Sequence, residues 1–159
     1  MKLLFALITS FVFFFQSSDI DTVRTKYITA HQSKQNADSF VRLTQNSGSS
    51  ATMDGYKAAG KIIQGKFAAG EGRKKIITSG IKSLESTLKS NSDNVELRVI
   101  RMSVQENLPK FIKYNTQITS DKNHILKNYS NQNSSLKSYI RKFAAQSRNF
   151  TAADRALLK

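Results

Sequence analysis

The stretch KKIITSGIKSLESTLKSNSDNVELRVIRMSVQEN, residues 74–107, decides the fold. Ile77, Ile81, Leu84 and Leu88 recur at spacings of four, three and four, so Lys74 to Ser90 reads as an amphipathic helix. Asn91-Ser92-Asp93-Asn94 is a short polar turn. From Val95 the period resumes with Leu97, Ile100, Val104 and Leu108 inward. Pro109, the only proline, closes the helix because its ring clashes with the preceding turn. Two helices joined by so short a turn lie antiparallel, the unit from which helical stacks are built.

Working outward, Met53 to about Ala69 sets Met53, Tyr56, Ala59, Gly60, Ile63 and Phe67 along one stripe, with Lys57, Lys61 and Lys66 off it. Gly55, Gly60 and Gly65 recur every five residues. Each weakens an isolated helix by about 1 kcal/mol relative to alanine, so their use is close approach of a neighbouring helix. Gly70-Glu71-Gly72 breaks the pattern. Upstream lie a loop over Gln45 to Thr52, a short helix from about Ala37 to Thr44, and a first helix carrying Ile20, Val23, Tyr27 and Ile28. Asp19 and Asp21 stand where the dipole of that first helix favours negative charge.

Downstream, Lys110 to Thr119 is an irregular connection with Phe111, Ile112, Tyr114 and Ile118. Ser120 or Asp121 can cap a helix running through Tyr129, and Ser130 to Ser135 is a loop. Leu136, Tyr139, Ile140 and Phe143 mark a helix ending near Ser147. Thr151 with Asp154 three residues on is a capping-box pattern that opens a last short helix to Leu158. Nowhere do apolar residues alternate with period two, so the expected fold class is all-α, built of antiparallel helix hairpins.

At the N-terminus, Lys2 precedes a run from Leu3 to Phe15 broken only by Thr9 and Ser10. The run reads as a secretory signal peptide over residues 1–18, cut near Ser18. It is too short to span a bilayer core of roughly 30 Å, which needs about 20 apolar residues. The expectation is a single helical domain over residues 19–159, exported to the periplasm or secreted. There is no cysteine, which removes disulfides, thiolate metal sites, cysteine nucleophiles and a lipid-anchored cysteine together.

The net charge of +14 is unevenly spread. Residues 107–159 hold ten basic and two acidic side chains, whereas residues 19–52 hold four and three. Such a gradient points to an anionic partner, such as an envelope polymer, a lipid head-group surface or nucleic acid. Lysines scattered over solvated helix faces give the same total without any partner. For the partner reading, Lys137, Arg141 and Arg148 share roughly one helix face with Lys142 adjacent, and are the candidate anion contacts.

Catalytic chemistry finds little support. His31 and His124 each stand alone, with no second ligand at helical spacing, so no metal site is assigned. A hydrolase would need a pocket where a histidine meets convergent carboxylates, and Glu71, Glu85, Glu96 and Glu106 all read as helix surfaces or ends. A phosphate-cradling loop fails because Gly65 is followed by Lys66 and then Phe67. No catalytic residue and no cofactor is assigned, and a non-enzymatic protein is expected.

The order Gly80, Leu84, Thr87, Ser92-Asp93-Asn94, then Val95-Glu96-Leu97-Arg98 resembles the second half of a tetratricopeptide repeat leading into the next first helix. Thr87 stands where alanine is usual and Ser92 where proline is usual, and the first-helix signature is missing at Arg98, Arg101-Met102 and Gln105. A longer series is similar to a family of uncharacterised exported bacterial helical proteins. It comprises Ser92 to Arg98, Arg101, Gln105-Glu106-Asn107-Leu108-Pro109, Phe111, Tyr114-Asn115 and Asp121-Lys122. The resemblance implies export and a tetratricopeptide-like fold, and no activity.

Within that series Arg98 and Arg101 lie three apart on one helix face, with Glu106 and Asn107 at its far end. The preferred reading pairs them across the helix hairpin and onto backbone groups freed at Pro109. The other makes Arg98, Arg101, Glu106 and Tyr114 a ligand or partner site. The functional expectation is an interaction or structural module of the bacterial cell envelope, its partner an envelope protein or peptide. The alternative is a binder of anionic polymer or membrane surface.

Overall fold

Helices form wherever the apolar period is strong, and their ends are set by side chains that satisfy free backbone N–H groups. The computed structural model describes residues 20–159, so the signal-peptide reading of residues 1–18 lies outside the described residues. The elements are α1 (residues 20–30), α2 (Lys34–Asn46), α3 (Ala51–Phe67), α4 (Gly70–Ser90), α5 (Val95–Asn107), α6 (Ile118–Asn128), α7 (Ser134–Gln146) and α8 (Ala152–Ala156). Single 3-10 turns occupy Lys110–Ile112 and Tyr129–Asn131. Among the described residues all regular structure is helical.

Ser33, Ser50, Asn94, Asn133 and Thr151 each cap a helix N-terminus through the side chain, and Thr151 with Asp154 forms the reciprocal capping box. Each such cap stabilises by about 1 kcal/mol. Ser33 explains why α2 begins at Lys34 and not at the first apolar position, Ala37. Helices α2, α3 and α7 start two or three residues earlier than the apolar pattern predicts, and two further boundaries differ in kind. The break before α4 shrinks to Ala68-Ala69, because Gly70 takes a left-handed φ of 62° that turns the corner and lets the helix run on through Gly72. Helix α6 starts at Ile118 behind Gln117, which makes no side-chain cap; Asp121 instead turns inward and is fully buried.

Helix α5 is the centre of the molecule. Nine of its thirteen residues are buried, so it is enclosed on all sides and has no solvated stripe. Leu97, Ile100 and Val104 join a cluster with Val23, Phe40, Tyr56, Ile77 and Leu84. Val95, Val99 and Met102 join a second cluster with Ile125, Tyr129, Ile140 and Phe150. In the first cluster Tyr27, Phe40 and Tyr56 interlock, with ring centroids 5.3–6.2 Å apart in tilted and edge-on geometry.

The three glycines of α3 are spaced five residues apart, which rotates each about 140° from the last at 3.6 residues per turn. They accordingly admit three different neighbours. Gly55 meets Leu97 and Ile100 of α5, Gly60 meets Phe40 and Val41 of α2, and Gly65 meets Ile76 and Ile77 of α4. A side chain at any of them would hold off one of the helices surrounding α3.

Two buried ion pairs hold α5 in place. Arg24 of α1 forks onto Glu96 of α5 through Nε–Oε1 at 2.7 Å and Nη2–Oε2 at 2.6 Å, and the Tyr56 hydroxyl donates to Oε1 at 2.8 Å. The Arg24 Nη1 also reaches Asp21 and the Ser135 hydroxyl of α7, both at 2.7 Å. On the other side of α5, Arg101 forks onto Asp121 of α6 at 2.7 and 2.6 Å and reaches Glu85 of α4 at 2.9 Å. Burial opposes the charge on both guanidiniums, but the hydrogen bonds and charges of Glu96 and Asp121 outweigh it and hold them above the usual arginine range.

Two comparisons test this packing by urea denaturation. Gly80→Ala places a methyl 2.6 Å from Ile62 Cγ1 and 3.0 Å from the Ala58 carbonyl oxygen, and is expected to cost about 1–3 kcal/mol. Gly72→Ala meets nothing within 4 Å and is expected to gain up to about 1 kcal/mol from helix propensity. Separately, Glu96→Ala strands a buried guanidinium and should cost about 3–5 kcal/mol. Combining it with Arg24→Met should cost less than the sum of the single changes; strictly additive losses would show that the pair is not coupled.

Candidate binding cleft

The residues joined through Arg24 also fix the direction of four helices. Along α1, Arg24 precedes Tyr27, Ile28 and His31; along α3, Tyr56 precedes Ile62, Ile63 and Lys66; along α5, Glu96 precedes Ser103 and Glu106; along α7, Ser135 precedes Tyr139, Lys142 and Phe143. The first residue of each set meets at the Arg24 ion pair, and the later ones line one cleft of about 230 Å³. The four helices therefore run the same way, and their C-terminal ends frame the opening.

The floor of the cleft is the buried part of this set. Tyr27, Ile62, Val104 and Tyr139 are each no more than 6% exposed. Ile28, Ile63, Leu108 and Phe143 form half-buried apolar walls. The Tyr27 hydroxyl donates to Ser103 Oγ at 3.3 Å. Burial pushes the Tyr27 phenol up to about 12 against the pull of that hydrogen bond, and burial together with the Tyr27 charge raises Tyr139 as well.

The rim is basic. His31, Lys66, Lys142 and Arg148 stand around the opening. Partial burial, followed by the charge of Lys66, lowers the pKa of His31. Lys66 Nζ lies 3.5 Å from the His31 carbonyl oxygen, and Arg148 Nη2 lies 3.3 Å from that of Glu106. Glu106 is the acidic residue of the lining. Its Oε1 accepts from Asn149 Nδ2 at 2.7 Å and from the Ser147 hydroxyl, which ties the end of α5 to the segment between α7 and α8.

The residues singled out from the sequence fall into three places. Lys142, Arg148 and Glu106 line the cleft. Lys137 and Arg141 gather on Tyr129, Lys137 Nζ lying 5.7 Å from the ring centroid and Arg141 Nη1 donating to the hydroxyl at 2.6 Å. Arg98, Arg101 and Tyr114 lie in the network on the other side of α5. There Arg98 reaches Asp121 at 3.1 Å and the Ser92 carbonyl oxygen at 2.6 Å, and the Tyr114 hydroxyl donates to Glu85. Glu106 is therefore not brought together with Arg98, Arg101 and Tyr114.

His31 and Lys66 were not singled out as site residues, and neither were the floor tyrosines. Their stretches carry only ordinary helical periodicity, and the cleft exists only where four helices far apart in sequence meet. His124 lies elsewhere, its Nε2 3.4 Å from the Asp93 carbonyl oxygen. Among the described residues no cluster of three histidine, aspartate or glutamate side chains is placed to hold a metal ion, and no helix is long and apolar enough to cross a membrane.

The phenol of Tyr27 gives the floor a pH signature. A group whose pKa is raised from 10.0 to about 12 on folding contributes stability that is fully present below pH 10 and is lost as the pH climbs through about 12. Urea stability is expected to fall across that window, and Tyr27→Phe should make the fall shallower. An unchanged slope in the variant would show that Tyr27 is not held protonated by the floor.

No family model, curated protein or solved structure matches the chain.

Proposed function

We propose that the protein is a non-enzymatic exported helical module of the bacterial cell envelope that acts by binding at the cleft framed by α1, α3, α5 and α7. The observation that carries this reading is the cleft itself, about 230 Å³ with a buried apolar floor, half-open apolar walls and polar groups at its mouth. Concave, mostly apolar sites with a few polar groups are the usual form of a binding site. The acids that catalysis would need are engaged elsewhere. Glu96 and Asp121 neutralise buried arginines, and the Glu106 carboxylate is held by Ser147 and Asn149, so these three acids are engaged away from His31.

The tetratricopeptide-like reading is supported by the same directions. With α1, α3, α5 and α7 running one way, the short connections make the intervening helices return. Helix α3 packs extensively on α4, α5 on α6, and α3 also on α5, which is how successive helix pairs stack.

A second reading, binding of anionic polymer or membrane surface, is favoured by the exposure of Arg141, Lys142 and Arg148 at the basic C-terminal end. The two readings separate in one experiment. A photo-crosslinking residue at Ile63, in the cleft wall, should give discrete adducts in cells making the full chain, and one at Lys127, on the exposed side of α6, should not. Adducts from both positions, lost together at high salt, would favour the surface reading. Export predicts that the mature chain in the envelope or secreted fraction begins near Asp19. An intact N-terminus found only in the cytoplasm would overturn export.

A further inference from the structure

We propose that the cleft takes a single-chain amphiphile with an anionic head, its apolar chain on the tyrosine-lined floor and its head among Lys66, Lys142 and Arg148. The proposal rests on reading the cleft as a binding site and names what fills it.

Size sets the first limit. The cleft measures about 230 Å³, a little under the roughly 300–1,000 Å³ of sites that take drug-sized ligands. A cleft of that size, with an apolar floor and walls, suits an acyl or aryl chain. The walls set the second. Ile28, Ile63, Leu108 and Phe143 are left half-open to water where the four helices diverge, so a chain laid there gains apolar burial that the fold itself does not achieve.

Charge decides the head group. Part of the rim serves the helix ends: the dipoles of α1, α3, α5 and α7 all point their negative ends at the mouth, and Lys66 and Arg148 each meet a terminal carbonyl. Three features exceed that need. Among the described residues Lys142 makes no ion pair, and both Lys66 and Arg148 keep donors beyond the single carbonyl contact each makes. The acid in the lining, Glu106, is drawn toward Ser147 and Asn149. Finally, His31 is disfavoured as a cation by its partial burial and then by the charge of Lys66, which adds to the positive rim. A cationic head would meet three like charges here, and a neutral head would leave the ammonium and guanidinium donors to water.

Titration calorimetry on the mature protein, with octanoate, octyl phosphate, octanol and octyltrimethylammonium as probes below their micelle concentrations, tests this directly. Octanoate or octyl phosphate should bind with Kd of about 1 mM or tighter, and whichever binds more tightly identifies the head. Octanol should bind about tenfold more weakly and octyltrimethylammonium not measurably. The double change Lys66→Glu and Lys142→Glu should weaken the anionic probe by about tenfold or more with the urea midpoint retained, and Lys74→Glu with Lys75→Glu, on the exposed side of α4, by less than about twofold.

Equal binding of the cationic probe, or an unchanged affinity in the Lys66 and Lys142 variant, would overturn the proposal. So would binding to anionic phospholipid vesicles in the absence of binding to either monomeric anion, which would place the ligand on a surface instead of in the cleft. Failure of all four probes alongside cleft-specific crosslinks from Ile63 would remove the amphiphile and leave the cleft's binding role standing.

Discussion

A helix enclosed on every side cannot keep an acid and a base in its sequence unless each meets its opposite charge inside the protein. Helix α5 has both, Glu96 and Arg101, and the arrangement of its neighbours follows from how they are matched. Arg24 comes from α1 and Asp121 from α6, each as a two-point fork, the geometry in which a guanidinium and a carboxylate bind best. Burying four charges yields little net stability over a well-packed apolar core. What it contributes is register, since sliding α1 or α6 by one turn against α5 would leave a charge buried and alone.

That register reaches the cleft. One helical turn beyond Arg24 stand Tyr27 and Ile28, and two turns beyond stands His31. Tyr56, Glu96 and Ser135 are followed at similar distances by Ile63, Ser103 and Lys142. The ion pair acts as a clasp at one end of four like-directed helices, and Arg24 also lies 5.7 Å from the centroid of the Tyr139 ring, which continues into the floor. With the helices pinned at their N-terminal sides, the gap opens at their C-terminal ends. Among the described residues, two side chains depart from this economy, Gln105 and Arg73, the latter through a buried Nε with no partner. The Gln105 side chain, one turn past Arg101, is buried with neither its oxygen nor its nitrogen hydrogen-bonded within the protein.

The fold was legible where local chemistry decides it. The four-three-four spacing of Ile77 to Leu88, the Thr151–Asp154 cap and the five-residue glycine series each state a local rule that the helices obey. Glu96, Asp121 and Arg24 were not legible as core residues, because charged side chains are ordinarily solvated and their partners lie 72 and 20 residues away. Asp121 looks like a cap from its position, because an aspartate near a helix start is usually one. The cleft was less legible still. Lys142 and Arg148 stand out by charge and Glu106 by its place in the series ending at Pro109, whereas Tyr27, Ile63 and Lys66 look like any helix until α1, α3, α5 and α7 are brought side by side.

The positive charge of the C-terminal third illustrates how far a count stands from a surface. Of its cations, Lys122 is tied to Asp154 at 2.8 Å, and Arg155 donates to the Ala144 and Ser147 carbonyl oxygens, closing the end of α7. Lys137 and Arg141 lie against Tyr129. These side chains work as crosslinks and caps for a small bundle that has no disulfide to hold its last helices. Part of the excess is thereby structural. At the rim of the cleft the remaining donors come together, where Lys142 and Arg148 from the end of the chain meet Lys66 from its middle.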